Sequence, residues 1–147
     1  MPSLYDFGRR IKVRAAGVAK NADTLVRKVA LVADQAVVSG TPVDTGRARS
    51  NWIATLGAAP DTEIEPYVPG ELGSTAAANT QAAIDQAETV IAGYTSGQEI
   101  HITNNVPYIQ DLNDGSSAQA PAGFVEEAVL EAVDAVTRAH IISDQYV

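Results

Sequence analysis

Thr41-Pro42-Val43-Asp44-Thr45-Gly46-Arg47-Ala48-Arg49-Ser50-Asn51-Trp52 divides the chain into a helical part and a sheet-forming part. Proline disfavours helical geometry in the residue before it and glycine suits a helix end, so any helix arriving from upstream stops by Ser39-Gly40-Thr41-Pro42. Asp44, Thr45 and Gly46 then make a structural turn, in which Asp44 bonds nearby backbone and Gly46 supplies a positive φ. Beyond the turn Trp52, Ala54 and Leu56 alternate with Asn51, Ile53 and Thr55, the pattern of a strand with one buried face. Its Arg49 and Asn51 side is the wetter one. Trp52 is the sole tryptophan. Its place mid-strand points to the core, with the indole N–H on a backbone acceptor, ahead of direct partner contact.

Upstream, from Tyr5 to Val38, apolar residues recur at Phe7, Ile11, Ala15, Val18, Ala22, Leu25, Val29, Val32 and Ala36 in steps of three and four. That spacing predicts one long helix with a continuous apolar stripe, weakened at Gly17. Arg9, Arg10, Lys20, Arg27 and Lys28 fall on the opposite side and form a solvated or partner-facing basic surface.

Downstream, residues 57–73 carry Pro60, Pro66 and Pro69 with glycine and acidic breaks, a long loop with room for a short edge strand near Ile64. An alanine-rich helix follows from Ser74 to about Ala92, with Ala77, Ile84, Ala87 and Ile91 on one side. Glu99 to Thr103 alternates as a half-exposed strand. A helical turn runs through Leu112 and a turn from Asn113 to Ser117. The last helix opens near Pro121, a residue suited to a first helical turn, with Gly123 beside it. Its expected core face is Phe124, Val125, Ala128, Val129, Ala132, Val136 and Ala139, with Glu126, Glu127, Glu131 and Asp134 turned away. The fold class this implies is α+β: a long N-terminal helix and a C-terminal helix packed on a small antiparallel β-sheet, with an extra alanine-rich helix inserted between the strands, all in one domain over residues 1–147.

Composition narrows the function classes. There is no cysteine, which excludes disulfide scaffolds, thiolate metal sites and cysteine nucleophiles. No apolar run approaches the roughly 20 residues that span a bilayer, so no membrane partner is expected. The N-terminal stretch is broken by Lys20, Asn21 and Asp23 and lacks the apolar region of a secretory signal; Met1 reads as the native start of a non-exported protein. The net charge of −8 conceals a division: residues 1–49 sum to +5, and residues 50–147 to −13. Such polarity suits head-to-tail stacking on oppositely charged copies. Nucleic-acid binding is second to it, because the basic residues are not interleaved with aromatics.

Asp44-Thr45-Gly46 is also the triplet of aspartic proteases, where paired carboxylates share a proton, and a homodimer would supply the second copy. Against this, Arg47 stands where a small residue is expected, and Ile91-Ala92-Gly93 closes a helical pattern. His101 and His140 lie on different elements without metal-ligand spacing. No nucleophile elbow, Walker loop or dinucleotide fingerprint is present. The residues therefore point to no catalytic site, metal or cofactor.

Three segments in succession resemble the tail-completion, or minor tail, proteins that join heads to tails in long-tailed bacteriophages. They are Thr41 to Arg47 with Ser50-Asn51-Trp52; Ile102-Thr103-Asn104-Asn105-Val106-Pro107-Tyr108 followed by Leu112 and Gly115; and Ala120-Pro121-Ala122-Gly123-Phe124-Val125. The likeness spans about residues 5–140. It departs from the minimal pattern between Pro60 and Gly97, which leaves a tail-terminator role as the alternative. The resemblance implies a structural virion protein of the neck, made in the host cytoplasm, forming a ring, generally sixfold, around the DNA channel. It implies no catalysis and no cofactor. Its partners would be other copies, the neighbouring neck and tail proteins, and genome DNA passing through the channel.

On that reading Tyr67 and Val68, between two prolines, and Pro107-Tyr108 are interface candidates, because aromatics on stiffened loops bind with little ordering cost. Deleting residues 61–70 is expected to leave the domain folded. The charged surface, without a long exposed apolar stripe, suggests a weakly associating monomer in dilute solution that forms a ring only on its neck partners.

Overall fold

The computed structural model describes residues 3–138, and the fold is α+β. Its elements are α1 (Leu4–Gly40), α2 (Arg47–Ser50), β1 (Ile53–Leu56), α3 (Ala76–Ala92), β2 (Ile100–Thr103), α4 (Ile109–Asn113) and α5 (Phe124–Thr137). β1 and β2 pair antiparallel with Ala54 opposite Ile102 and Leu56 opposite Ile100. Two strands alone are marginal in water. Here α3 lies along β1, and the Gln86 side chain closes that edge: Ala54 N–H donates to its Oε1 (3.0 Å), and its Nε2 donates to the Ala54 carbonyl (2.9 Å).

α1 begins at a capping box. Asp6 N–H donates to Ser3 Oγ and Ser3 N–H donates to the Asp6 carboxylate, both at 3.1 Å. The Ser3 N–H and the Ser3 hydroxyl (2.9 Å), both donating to the Asp6 carboxylate, hold its carboxyl below its usual range. The helix ends at Gly40, and the cap residue Thr41, just before Pro42, turns extended (φ −74°, ψ 127°).

The side of α1 turned to the core is not the stripe read from the sequence. Ala30, Asp34, Val37 and Val38 are buried, whereas Leu25, Val29, Val32 and Ala36 are half-buried, and Phe7 and Ile11 are 54% and 47% exposed. The reason is length. A helix of 37 residues runs about 55 Å, against about 21 Å for the 14 residues of α5 that pack beside it. The first turns of α1 overshoot the domain, and an exposed apolar stripe exists after all.

Three further expectations change. Residues 47–50 form a helical turn, because Gly46 (φ 91°) redirects the chain, and the strand starts only at Ile53, so Trp52 lies just before it and not mid-strand. Asn51 is buried and not on a wet face. No strand forms near Ile64; the Asn51 side chain takes the place of a pairing strand, as described below.

α3 buries Asn79, Ala83, Ala87 and Ile91 at every fourth residue, while Ala77 is exposed. Alanine at 83 and 87, both fully buried, lets the helix approach β1 closely. α5 starts at Phe124 and not at Pro121, after Gly123 (φ 86°). It buries Phe124, Ala128 and Ala132 but leaves Val129 53% exposed. Ala139 and His140 lie outside the described residues, as does the side chain of Val136. Two adjoining apolar clusters make the core, one around Val37, Val38, Trp52, Ala83 and Phe124, the other around Ala30, Ala54, Ala87 and Ile91.

Candidate functional site

The turn at residues 41–52 is the node where the rest of the chain meets. Thr41 is fully buried; its Oγ1 donates to the Val37 carbonyl (2.6 Å) and accepts the Trp52 indole N–H (2.7 Å). The indole partner is thus a side-chain hydroxyl and not a backbone carbonyl. Arg49 lies across the end of α1, donating to the carbonyls of Ser39 (3.1 Å) and Thr41, and to Thr80 Oγ1 (2.8 Å). A guanidinium there satisfies orphan carbonyls and complements the negative helix end. Its burial lowers its own pKa.

Asp44 does not bond locally. Its Oδ1 accepts from Leu72 N–H (2.8 Å) and its carbonyl from Gly73 N–H (2.9 Å), which ties the turn to the far end of the long loop. The Thr45 carbonyl accepts from Gly70 N–H (3.3 Å) in the same way. At Gly46 an added Cβ would lie 2.2 Å from Asn79 Nδ2, so this position needs glycine for space as well as for φ.

Side-chain amides clamp the loops to this node, each pairing with both the N–H and the C=O of one backbone residue. Asn51 holds Ile64 (both 2.8 Å), Asn79 holds Val68 (both 2.8 Å), and Gln119 holds Val43 (2.9 and 3.0 Å). Asn79 also accepts from Ser50 Oγ (2.9 Å) and donates to Thr75. Asn105 reaches the carbonyl of Pro60 (2.8 Å), and Asn104 that of Ala48 (2.8 Å). At the other end, Asn113 accepts from Val125 N–H (2.9 Å) and its carbonyl accepts from Gly123 N–H (2.7 Å), capping α5 from a distance. Pro121 stays exposed. Phe124 is buried against Gly40.

On the surface of the node Arg47 pairs with Glu63 (Nε to Oε2, 2.9 Å), and its guanidinium lies 5.7 Å from the centre of the Tyr108 ring. The Glu63 hydrogen bond raises the Arg47 pKa, and burial raises that of Tyr108. A shallow cleft of about 230 Å³ runs along Val43, Asp44, Arg47, Tyr108, Leu112 and Gln119. Tyr67 and Val68 stand out at 39% and 40% exposure on a loop whose backbone is fixed beneath them. Pro107 is exposed beside Tyr108.

The basic residues separate into two kinds. Arg9, Arg10, Lys20 and Lys28 are exposed. Arg27 is half-buried: it donates to the Tyr94 carbonyl (2.7 Å) and its guanidinium lies 5.6 Å from the centre of that ring, bracing α1 against the end of α3.

Sequence reasoning passed over Asn79, Gln86, Gln119 and Asn113, whose partners lie 11 to 76 residues away. It also passed over Asp34, which is fully buried with neither carboxylate oxygen hydrogen-bonded among the described residues. Burial, with the charge of Glu88 nearby, pushes its pKa up to about 7. The signal was present, since Asp34 interrupts the row Ala30, Val37, Val38.

Among the described residues no three potential metal ligands cluster, and no helix is long and apolar enough to cross a membrane. Comparison with protein-family models, curated proteins and solved structures finds no match.

Proposed function

We propose that the chain is a structural virion protein of the neck of a long-tailed bacteriophage. It forms a ring, sixfold by preference, that completes the tail and joins it to the head connector around the DNA channel. A tail terminator or another neck ring protein is the nearest alternative. The observation that carries the reading is convergence. The three segments whose order resembles tail-completion proteins, at residues 41–52, 102–108 and 120–125, meet at one node through the Asn104–Ala48 hydrogen bond and the shared core cluster of Trp52, Ala120 and Phe124, against which Ile102 packs. Residues recognised only as a succession are thus those that hold the fold together.

The role is architectural and needs no cofactor. The polar groups of the node are engaged with backbone: Asp44 with Leu72, Asn79 with Val68, Asn51 with Ile64. A protease reading would require the Asp44 carboxylate to face a second copy and a water, while its Oδ1 already accepts a backbone N–H. What the node presents outward is a rigid loop tip with Tyr67 and Val68 and a second aromatic at Tyr108, contact area suited to neighbouring neck and tail proteins. The test is particle imaging with the protein tagged, together with particles made without it. The expected result is a tag at the head–tail junction and unjoined heads and tails in its absence. Joined, infectious particles lacking the protein would refute the neck assignment.

A further inference from the structure

Among the described residues, two exposed apolar helix faces carry opposite charge. The first is the arm formed by the opening turns of α1. Leu4, Phe7 and Ile11 are spaced three and four apart, so they share one face. They are 86%, 54% and 47% exposed. Exposed Arg10 and Lys12 flank that face. The second is the outer side of α5, opposite its buried row, where Val129, Leu130 and Val133 are 53%, 66% and 51% exposed. Every charged residue of α5 is acidic: Glu126, Glu127, Glu131 and Asp134.

We infer that the arm of one copy docks on the outer side of α5 of the next copy. The arm cannot reach that surface on its own chain. It belongs to the same unbroken helix that packs on the inner side of α5, and a helix does not fold back on itself. Arm against arm would place Arg10 and Lys12 opposite their own kind, whereas arm against α5 sets them beside exposed Glu126 and Glu127, with Asp134 on the same edge paired to Arg138 (2.9 Å). Donor and acceptor are different surfaces, so the contact is heterologous, and each copy offers both. That is the condition for a closed ring or an open chain of subunits. One helix pair buries less than the roughly 800 Å² per partner of a standard stable interface. Single contacts are therefore weak, and closure, in which every copy is held twice, supplies the rest. The inference rests on the ring reading above and names its interface.

The chain has no cysteine, which permits a direct trap. The full-length double variant I11C/V133C, oxidised at low salt, is expected to give a ladder of covalent multimers that fades at high salt. I11C or V133C alone should give little product. Reversing charge with R10E/K12E on the arm, or E127K/D134K on α5, should each weaken the ladder. A mixture of R10E/K12E/I11C with E127K/D134K/V133C should restore a covalent dimer. The inference is overturned if the double variant gives no ladder while both thiols react with a small reagent, or if a single-cysteine chain dimerises as readily. A ladder from a protein absent from particles would leave this interface standing and remove the neck assignment. A protein found in the neck that gives no ladder would do the reverse.

Discussion

At the scale of single residues, Gly46 and Asp34 are the positions where the structure imposes most on chemistry. Gly46→Val adds both a strained positive φ and a Cβ that displaces the Asn79 amide. A loss of roughly 2–4 kcal/mol follows, read as a lowered denaturation midpoint. Asp44→Asn retains the Oδ1 that accepts from Leu72 N–H, so the expected change is under about 1 kcal/mol. Asp34 behaves differently because its folded pKa of about 7 lies above the ordinary 3.8. The folded chain holds the proton while the unfolded chain releases it. Its contribution to stability is complete below about pH 4 and is lost as the pH rises to about 7, with nothing further lost above. Over that window the loss is of the order of 4 kcal/mol. Asp34→Asn abolishes this dependence, so melting temperatures of variant and parent should diverge in the variant's favour from pH 4 to 7 and then run parallel. Curves that stay parallel throughout would show that Asp34 does not titrate in that range.

At the scale of elements, long-range amide clamps substitute for the sheet that two short strands cannot provide. Residues 57–73 were expected to be a loop free to adapt, yet the chain is pinned at Pro60, Ile64, Val68 and Leu72. Removing residues 61–70 would strip partners from buried Ser50, Asn51 and Asn79. The deletion should therefore unfold or loosen the domain, contrary to the expectation from sequence. Asn79→Ala isolates the effect: it leaves the Ser50 hydroxyl without its acceptor and both polar groups of Val68 without their partner. A cost of roughly 2–4 kcal/mol is expected, with amide exchange at Val68 quickening before global unfolding. Unchanged protection there would show that the clamp is redundant.

At the scale of the whole molecule, the chain is a rigid node with a helical arm projecting from it. The loop tip can be tested without touching the clamps, because Tyr67 and Val68 engage Ser50 and Asn79 through backbone groups. The paired change Tyr67→Ala with Val68→Asp should leave the melting temperature within a few degrees of the parent, since exposed side chains away from such contacts contribute little. If the tip meets a neck or tail partner, particles carrying that protein should show unjoined heads and tails. Normal joining would remove the tip from the interface while leaving the arm contact unaffected. The exposed arm gives weak association a surface: self-association should rise with concentration and weaken with salt, measurable by sedimentation velocity.

Local rules sufficed for part of this. The three long helices, the stop before Pro42, the alternation of the two strands and the positive φ at Gly46 all follow from near neighbours in the chain, where periodicity, proline geometry and glycine permissiveness act over a few residues. Which side of α1 faces inward did not follow. The continuous stripe from Phe7 to Ala36 is longer than anything in the fold that could cover it, and only the packing of α3 and α5 shows that Ala30, Asp34, Val37 and Val38 face the core while Phe7 and Ile11 remain outside. The amide clamps were illegible for the same reason. Asparagine and glutamine carry no periodic signal, and a partner 76 residues away, as for Gln119 and Val43, is specified by tertiary proximity alone.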